Sequence, residues 1–248
     1  MIIIHPDNHE KAIDFWKNTL GGKPNGARTL GAAQAKYLAP IFEPYYDMMI
    51  TYASDIPVKV PQGVKKIAIM WHQNFPWSSG ITVWRRTRWH YIRYDVDYFC
   101  NEPHIIELIR EAGGSAFLLP RFIDTTTLPA PQEKKFFPTL WFGNRWAEFG
   151  GEFEKYKMKN KHPYWLSHGV LGLGEKKLYE LDREDALRIV NEAKKVWAIG
   201  VSQLEAQYCG AEIVSYRDEI LPFYDQETIQ DYARNLLQEI QDHRKSKS

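Results

Sequence analysis

Several things are scarce in this chain, and each shortage removes a class of function. Its 248 residues hold 2 cysteines, Cys100 and Cys209, each in an apolar context. Two cannot build a disulfide framework and suit reduced core thiols, so a cytoplasmic setting is expected. Neither sign of charge is in excess: Lys+Arg 32 against Asp+Glu 31 leaves a formal net charge of +1. No global field then recruits nucleic acid or an acidic membrane, and any polyanion site has to be local. No apolar run reaches membrane length. The opening MIIIHPDNHEKAIDFW has too short an apolar stretch for a secretory signal and no basic region before it. A soluble, unprocessed protein without membrane insertion is expected. The 8 histidines form no close pair with cysteines at zinc-ligand spacing, so no metal is expected to be essential. Phosphate-binding loops of the GxxxxGK[ST] kind and serine nucleophile elbows are missing, which argues against NTPase and hydrolase chemistry.

Short apolar runs alternating with helical patterns are what the chain does have. MIII reads as an edge strand, and DMMITYAS, KKIAIMWH, VDYFC and SAFLLP as further strands. Helical periodicity marks NHEKAIDFWKNTL, AAQAKYLAPIF and NEPHIIELIREAGG. The run from Pro129 to Lys135 is polar, carries two prolines and separates two apolar patterns, which suits a linker. After it come FFPTLWFG and YWLSHG as strands, DREDALRIVNEAKK as a helix capped by Asp182, and QETIQDYARNLLQEIQDH as a long final helix. Alternating β and α predicts parallel sheets covered on both faces. The expected organisation is a Rossmann-like domain over 1–130, a second over 131–225, and a C-terminal helix over 226–248 packing back across the junction.

VWAIGVSQLEAQYCGAEIV, from Val196 to Val214, reads as a buried strand, a turn, a helix and a second strand. Ser202 is the expected N-cap, Gly210 the stop, and Glu205 is expected in the first turn.

Three stretches carry a resemblance. VDYFCNEPHIIELIREAGGSAFLLPRFIDTTTLPAP, SQLEAQYCGAEIV and PTLWFGNRW resemble, in order and spacing, elements of GT-B glycosyltransferases, especially the family-4-like retaining group. GGKPNGA resembles that family's glycine-rich loop. The resemblance implies an α/β, GT-B-like fold of two Rossmann-like domains facing a cleft. It further implies transfer of a hexose or pentose from a nucleotide sugar to a hydroxyl acceptor. Glu205 is matched to a carboxylate on the donor's ribose hydroxyls, with Ser202 and Gln203 presenting backbone N–H groups to the phosphates. Arg145, in FGNRW, is matched to a cation that neutralises the leaving diphosphate. Lys155 and Lys157 are further cations in a segment charged throughout. His72 is matched to a histidine directed at the reacting sugar, able to hold the acceptor hydroxyl or help its proton leave. Gly21, Gly22 and Gly26 would let the backbone approach the donor phosphates or the acceptor closely. Trp197 stands eight positions before Glu205, where the family has a second glutamate.

The short length resembles the compact enzymes of phages and other viruses, which suggests double-stranded DNA with hydroxymethylated bases as acceptor. SSGITVWRRTRWHYIRY interleaves Arg85, Arg86, Arg88 and Arg93 with Trp84, Trp89, Tyr91 and Tyr94. Such a segment can meet phosphates while its aromatics hold an extruded base. The same aromatic faces suit sugar rings, so a glycan or lipid acceptor is the alternative. A non-catalytic nucleotide- or sugar-binding module is the rival from another class.

Overall fold

Residue runs buried on both sides make the strands here, and amphipathic runs between them make the helices that cover them. The computed structural model describes residues 1–4, 26–51, 59–71, 91–133, 136–143, 151–167, 169–198, 200–214 and 220–246. The strands are β1 (Ile2–Ile4), β2 (Met48–Ile50), β3 (Lys66–Trp71), β4 (Asp95–Cys100), β5 (Ser115–Leu118), β6 (Phe137–Phe142), β7 (Tyr164–Ser167), β8 (Val170–Leu173), β9 (Lys176–Glu180), β10 (Ala193–Ala198) and β11 (Glu212–Val214). The helices are α1 (Gly26–Ala33), α2 (Ala39–Phe42), α3 (Pro103–Glu111), α4 (Glu152–Lys159), α5 (Arg183–Asn191), α6 (Val201–Tyr208) and α7 (Gln226–Lys245). A π-helical stretch, Gln34–Leu38, joins α1 to α2. The fold is α/β, with one parallel sheet and one mixed sheet.

Two compact units divide the chain. One takes in the opening strand, Ala27–Arg121 and the stretch from Gln226 onward; the other takes in Phe122–Asp225. The division falls at Arg121 and Phe122, ahead of the Pro129 to Lys135 stretch read as a linker. Phe122 and Ile123 are buried, and Ile123 pairs with Asp225. The Asn191 amide then holds the linker as a peptide group would, donating to the Ala130 carbonyl at 2.7 Å and accepting from the Gln132 N–H at 3.1 Å.

In the first unit the five parallel strands stand in chain order, β1 to β5, with β1 at the edge. One sheet face carries Met48, Ile67, Ile69, Tyr98, Cys100 and Ala116 against Ile105, Ile106 and Ile109 of α3. On the other face Phe99 meets Phe42 edge-on at 4.8 Å, Tyr46 at 5.9 Å and Phe117 at 5.7 Å. Each fully buried side chain of this size contributes about 1.5–3 kcal/mol. Also on this face, Asp97 is only 1% exposed at the middle of β4. Its carboxylate accepts from the Tyr46 hydroxyl at 2.6 Å, the Ser115 hydroxyl at 2.5 Å and one Arg244 nitrogen that spans both oxygens at 2.7 Å. Burial, then the Asp97 charge, push the Tyr46 phenol above its ordinary range, so it stays a donor. Arg244 lies in the last turn of α7, and the pair clamps that helix to the sheet of the first unit.

The second unit holds a six-stranded sheet in the order β11-β10-β6-β7-β8-β9. β11, β10, β6 and β7 run parallel, and β8 and β9 add an antiparallel hairpin. Trp141 and Trp165 face Phe153 and Tyr156 of α4. Leu140, Val196 and Ala198 face Ala186 and Val190 of α5 and Ala206 of α6. Helices therefore cover both faces.

Two local expectations change. β10 starts at Ala193, three residues inside the stretch read as the end of the preceding helix, because Ala193 and Val196 pair with Phe137 and Leu140 of β6 and are fully buried. β8 and β9 were not expected as strands: all five residues of β9 are exposed, which leaves no period-2 signal. The expected helix NHEKAIDFWKNTL lies outside the described residues.

Candidate functional site

The strand order of the second unit creates one geometrically distinct place. β6 and β10 are adjacent and parallel, yet β6 continues to β7 on one side while β10 continues to β11 on the other. Their carboxyl ends thus send the chain in opposite directions, and in open α/β sheets ligands bind in the crevice that such a reversal opens. The described strands of the first unit stand in chain order and contain no reversal.

From the end of β6 the chain enters the segment carrying Arg145, which lies outside the described residues. From the end of β10 it turns at Gly200, with φ 61° and ψ −136°, a backbone state that side chains resist. α6 starts at once. Its N-cap is Gly200, and Ser202, expected in that role, is the second helical residue. The Gln203 N–H, expected to face phosphates, donates instead to the Gly200 carbonyl at 3.1 Å, and the Gln203 side chain is buried. Helix geometry leaves the N–H groups of Val201 and Ser202 outside the intrahelical ladder, where the positive end of the dipole points.

Glu205 needs the largest correction. It sits in the second turn of α6, not the first, and is 2% exposed. Its carboxylate accepts a charge-assisted hydrogen bond from the Arg183 guanidinium. Burial pushes the Glu205 carboxyl up, and the charge and hydrogen bond of Arg183 oppose that rise. A carboxylate enclosed on its own cation is not presented to a ribose. The residue at the surface is Arg183, which keeps 26% side-chain exposure.

Arg183 is the functional candidate that reading the sequence missed. Asp182 caps α5 as expected, its side chain accepting from the Asp185 N–H at 2.9 Å, which makes Arg183 the first helical residue. A cation there opposes the helix dipole, and that misfit was a signal available in LDREDALR. α5 and α6 run in the same sense against the sheet, so the Arg183 end of α5 and the Val201 end of α6 lie at the carboxyl side of β10. Glu205 follows Val201 by one turn on the same face of α6. A guanidinium bonded to Glu205 is thereby one turn from the helix start, with further donors in its planar fork. The Arg183 charge is balanced by Glu205, so what this end of the sheet offers is N–H donors: the remaining guanidinium donors and the Val201 and Ser202 N–H groups.

The remaining expected residues divide simply. His72, just past β3, and Gly21, Gly22, Arg85, Arg86, Arg88 and Trp89 lie outside the described residues. Gly26 is the first residue of α1 rather than part of a loop. At the end of the arginine-aromatic segment, Tyr91 is 3% exposed and packs in the core with Ile105 and Trp71, so it offers no stacking face. Lys157 is occupied by Glu154 and Glu175.

Among the described residues no helix is long and apolar enough to cross a membrane. No protein-family model, no curated protein and no solved structure matches the chain.

Proposed function

We propose that the chain binds a nucleotide sugar in its second unit and transfers the sugar to a hydroxyl acceptor. The observation that carries this reading is the strand reversal at β6 and β10, with the start of α6 and the Arg183 guanidinium on its rim. A diphosphate would accept from the Val201 and Ser202 N–H groups and from Arg183, with Arg145 as a further cation from the segment after β6. Glu205 acts through Arg183, as a positioning residue, and not on the ribose. In this reading the two units are the halves of a GT-B-like enzyme, the first taking the acceptor and the second the donor, with His72 beside the reacting sugar. Gly21, Gly22 and Gly26 serve the donor phosphates in it, and Arg85, Arg86, Arg88 and Trp89 serve the acceptor.

The test is transfer of labelled sugar from a panel of nucleotide sugars. Acceptors are duplex DNA containing hydroxymethylated pyrimidines, run beside glycan and lipid acceptors. Transfer to DNA that falls steeply with salt, and less steeply after Arg85→Ala with Arg88→Ala, supports the DNA acceptor. Labelling of glycan or lipid alone removes DNA and leaves glycosyl transfer standing. Binding of the nucleotide sugar without turnover on any acceptor identifies a non-catalytic module.

A further inference from the structure

The nucleotide reading uses the carboxyl ends of β6 and β10, and the opposite end of the same sheet has no part in it. β6, β7 and β10 are parallel, and β9 runs in their sense because two antiparallel pairings separate it from β7. Their amino ends therefore stand in a row. The order β10-β6-β7-β8-β9 makes that row about 19 Å wide, at about 4.8 Å per strand. α4 leads into β7 and α5 into β10, so both helices finish at this end. The β8–β9 turn is anchored there as well: the Gly174 N–H donates to the Pro163 carbonyl at 3.1 Å, and the Trp165 indole donates to the Gly174 carbonyl at 2.9 Å.

This end displays cations. Lys161 precedes β7, Lys176 and Lys177 open β9, Lys194 is the second residue of β10, and Lys159 closes α4. All five are exposed, and none has an ion-pair partner among the described residues. Two of the carboxylates between them are taken: Glu175 is bound to Lys157, and Glu212 accepts from Lys195 at 2.7 Å. Glu133 and Glu192 remain, so the free cations outnumber the free anions here although the whole chain carries only +1. Two large apolar side chains stand in the same place. Phe136, just before β6, is 69% exposed, and Met158, in the last turn of α4, is 80% exposed. Both lie among the lysines, since the Phe136 N–H donates to the Glu192 carbonyl at 2.8 Å, two residues before Lys194, and Met158 adjoins Lys159.

The lysines call for an anionic partner, and Phe136 and Met158 for a hydrocarbon one. An anionic bilayer supplies both, because apolar side chains enter the boundary below the headgroups while lysine stems keep the ammonium groups at phosphate level. A nucleic acid fits less well. The free cations are all lysines, which cannot fork onto a phosphate or a guanine edge as arginine does, and a methionine has no face for a base to stack on. We propose that this end of the second unit docks on an anionic lipid surface, with the five lysines at the headgroup phosphates and Phe136 and Met158 in the boundary beneath them. The docked end is opposite the nucleotide site, so the proposal goes beyond that reading and does not rest on it.

The test is flotation of the full chain with vesicles of phosphatidylcholine alone and of phosphatidylcholine with about a third phosphatidylserine, at low and raised salt. Binding to the anionic vesicles only, weakening as salt rises, is the expected result. A lysine near such a surface strengthens binding about fivefold, so Lys161→Gln with Lys176→Gln should weaken it about 25-fold. Met158→Gln should weaken vesicle binding severalfold and leave binding to duplex DNA unchanged. All three side chains are exposed, so these variants keep the fold. No binding to anionic vesicles at low salt overturns the proposal, as does equal binding to neutral ones. Vesicle binding that the lysine pair does not weaken places the contact elsewhere and also overturns it. Lysine replacements that weaken DNA binding as much as vesicle binding, with Met158→Gln affecting neither, overturn it in favour of a nucleic acid.

Discussion

Replacing Arg183 by methionine isolates the ion pair that organises the proposed site. Methionine keeps much of the apolar stem and removes the charge, leaving Glu205 enclosed without its cation. Removing one partner of a buried pair costs about 3–5 kcal/mol, and the 26% exposure of Arg183 lets water reach the vacated place, so the lower end, about 3 kcal/mol, applies near neutral pH. The pH dependence gives the stronger test. The Glu205 carboxyl is already held above its ordinary range by burial, with Arg183 opposing. A raised folded value means that its contribution to stability is present below the unfolded value and lost as pH rises through the folded one. Without Arg183 the rise is larger and the loss deeper. Below the ordinary glutamate range the variant folds with Glu205 protonated and forfeits only a hydrogen bond, about 1 kcal/mol. Urea unfolding, followed by the emission of buried Trp141 and Trp165, should therefore show a midpoint loss several times larger near neutrality than in acid. Adding Glu205→Gln to the variant should abolish that difference. A loss of the same size at both pH values would refute the reasoning, because the buried charge would then not be what destabilises the variant.

Two further outcomes follow from the packing. Gly172→Ala should cost about 1–3 kcal/mol or more in urea unfolding, since a Cβ there would lie 2.1 Å from the Trp165 ring that faces it across β7 and β8. A variant as stable as the parent would mean the ring has room to move. Asp97→Asn should cost about 1.5–3 kcal/mol and speed amide exchange in the last turn of α7, because Arg244 loses its charged acceptor. Unchanged exchange there would contradict the clamp.

The parts of the fold that were legible in the sequence are those where burial leaves a local imprint. The apolar runs behind β3 and β4, the Asp182 cap of α5 and the helical spacing of Ile229, Tyr232, Leu236, Leu237 and Ile240 in α7, of which Ile229, Leu237 and Ile240 are buried, each carry their reason within a few residues. β9 has no such imprint, since its residues face solvent throughout. The start of β10 was hidden because Lys194 and Lys195 continue a helical charge pattern, and only pairing with β6 makes them strand. The site was legible as a stretch and misread in detail. Ser202 and Glu205 do belong to the helix that leaves β10, but the partner that encloses Glu205 lies 22 residues earlier, beyond any local period. The reversal at β6 and β10 is a property of strand order, which no single segment encodes.

The most direct test of the central claim is the affinity of the chain for nucleotide sugars before and after Ser202→Glu. Ser202 is the second residue of α6, where a carboxylate complements the helix dipole and should leave stability unchanged or raise it by about 0.3–1 kcal/mol. The same carboxylate stands where the donor phosphates are proposed to bind and would repel them. Calorimetry should find at least one nucleotide sugar that binds the parent chain and binds Ser202→Glu at least tenfold more weakly, with Arg183→Met weakening it as well. No binding by any nucleotide sugar, or full affinity in a folded Ser202→Glu variant, would contradict a donor site at the ends of β6 and β10.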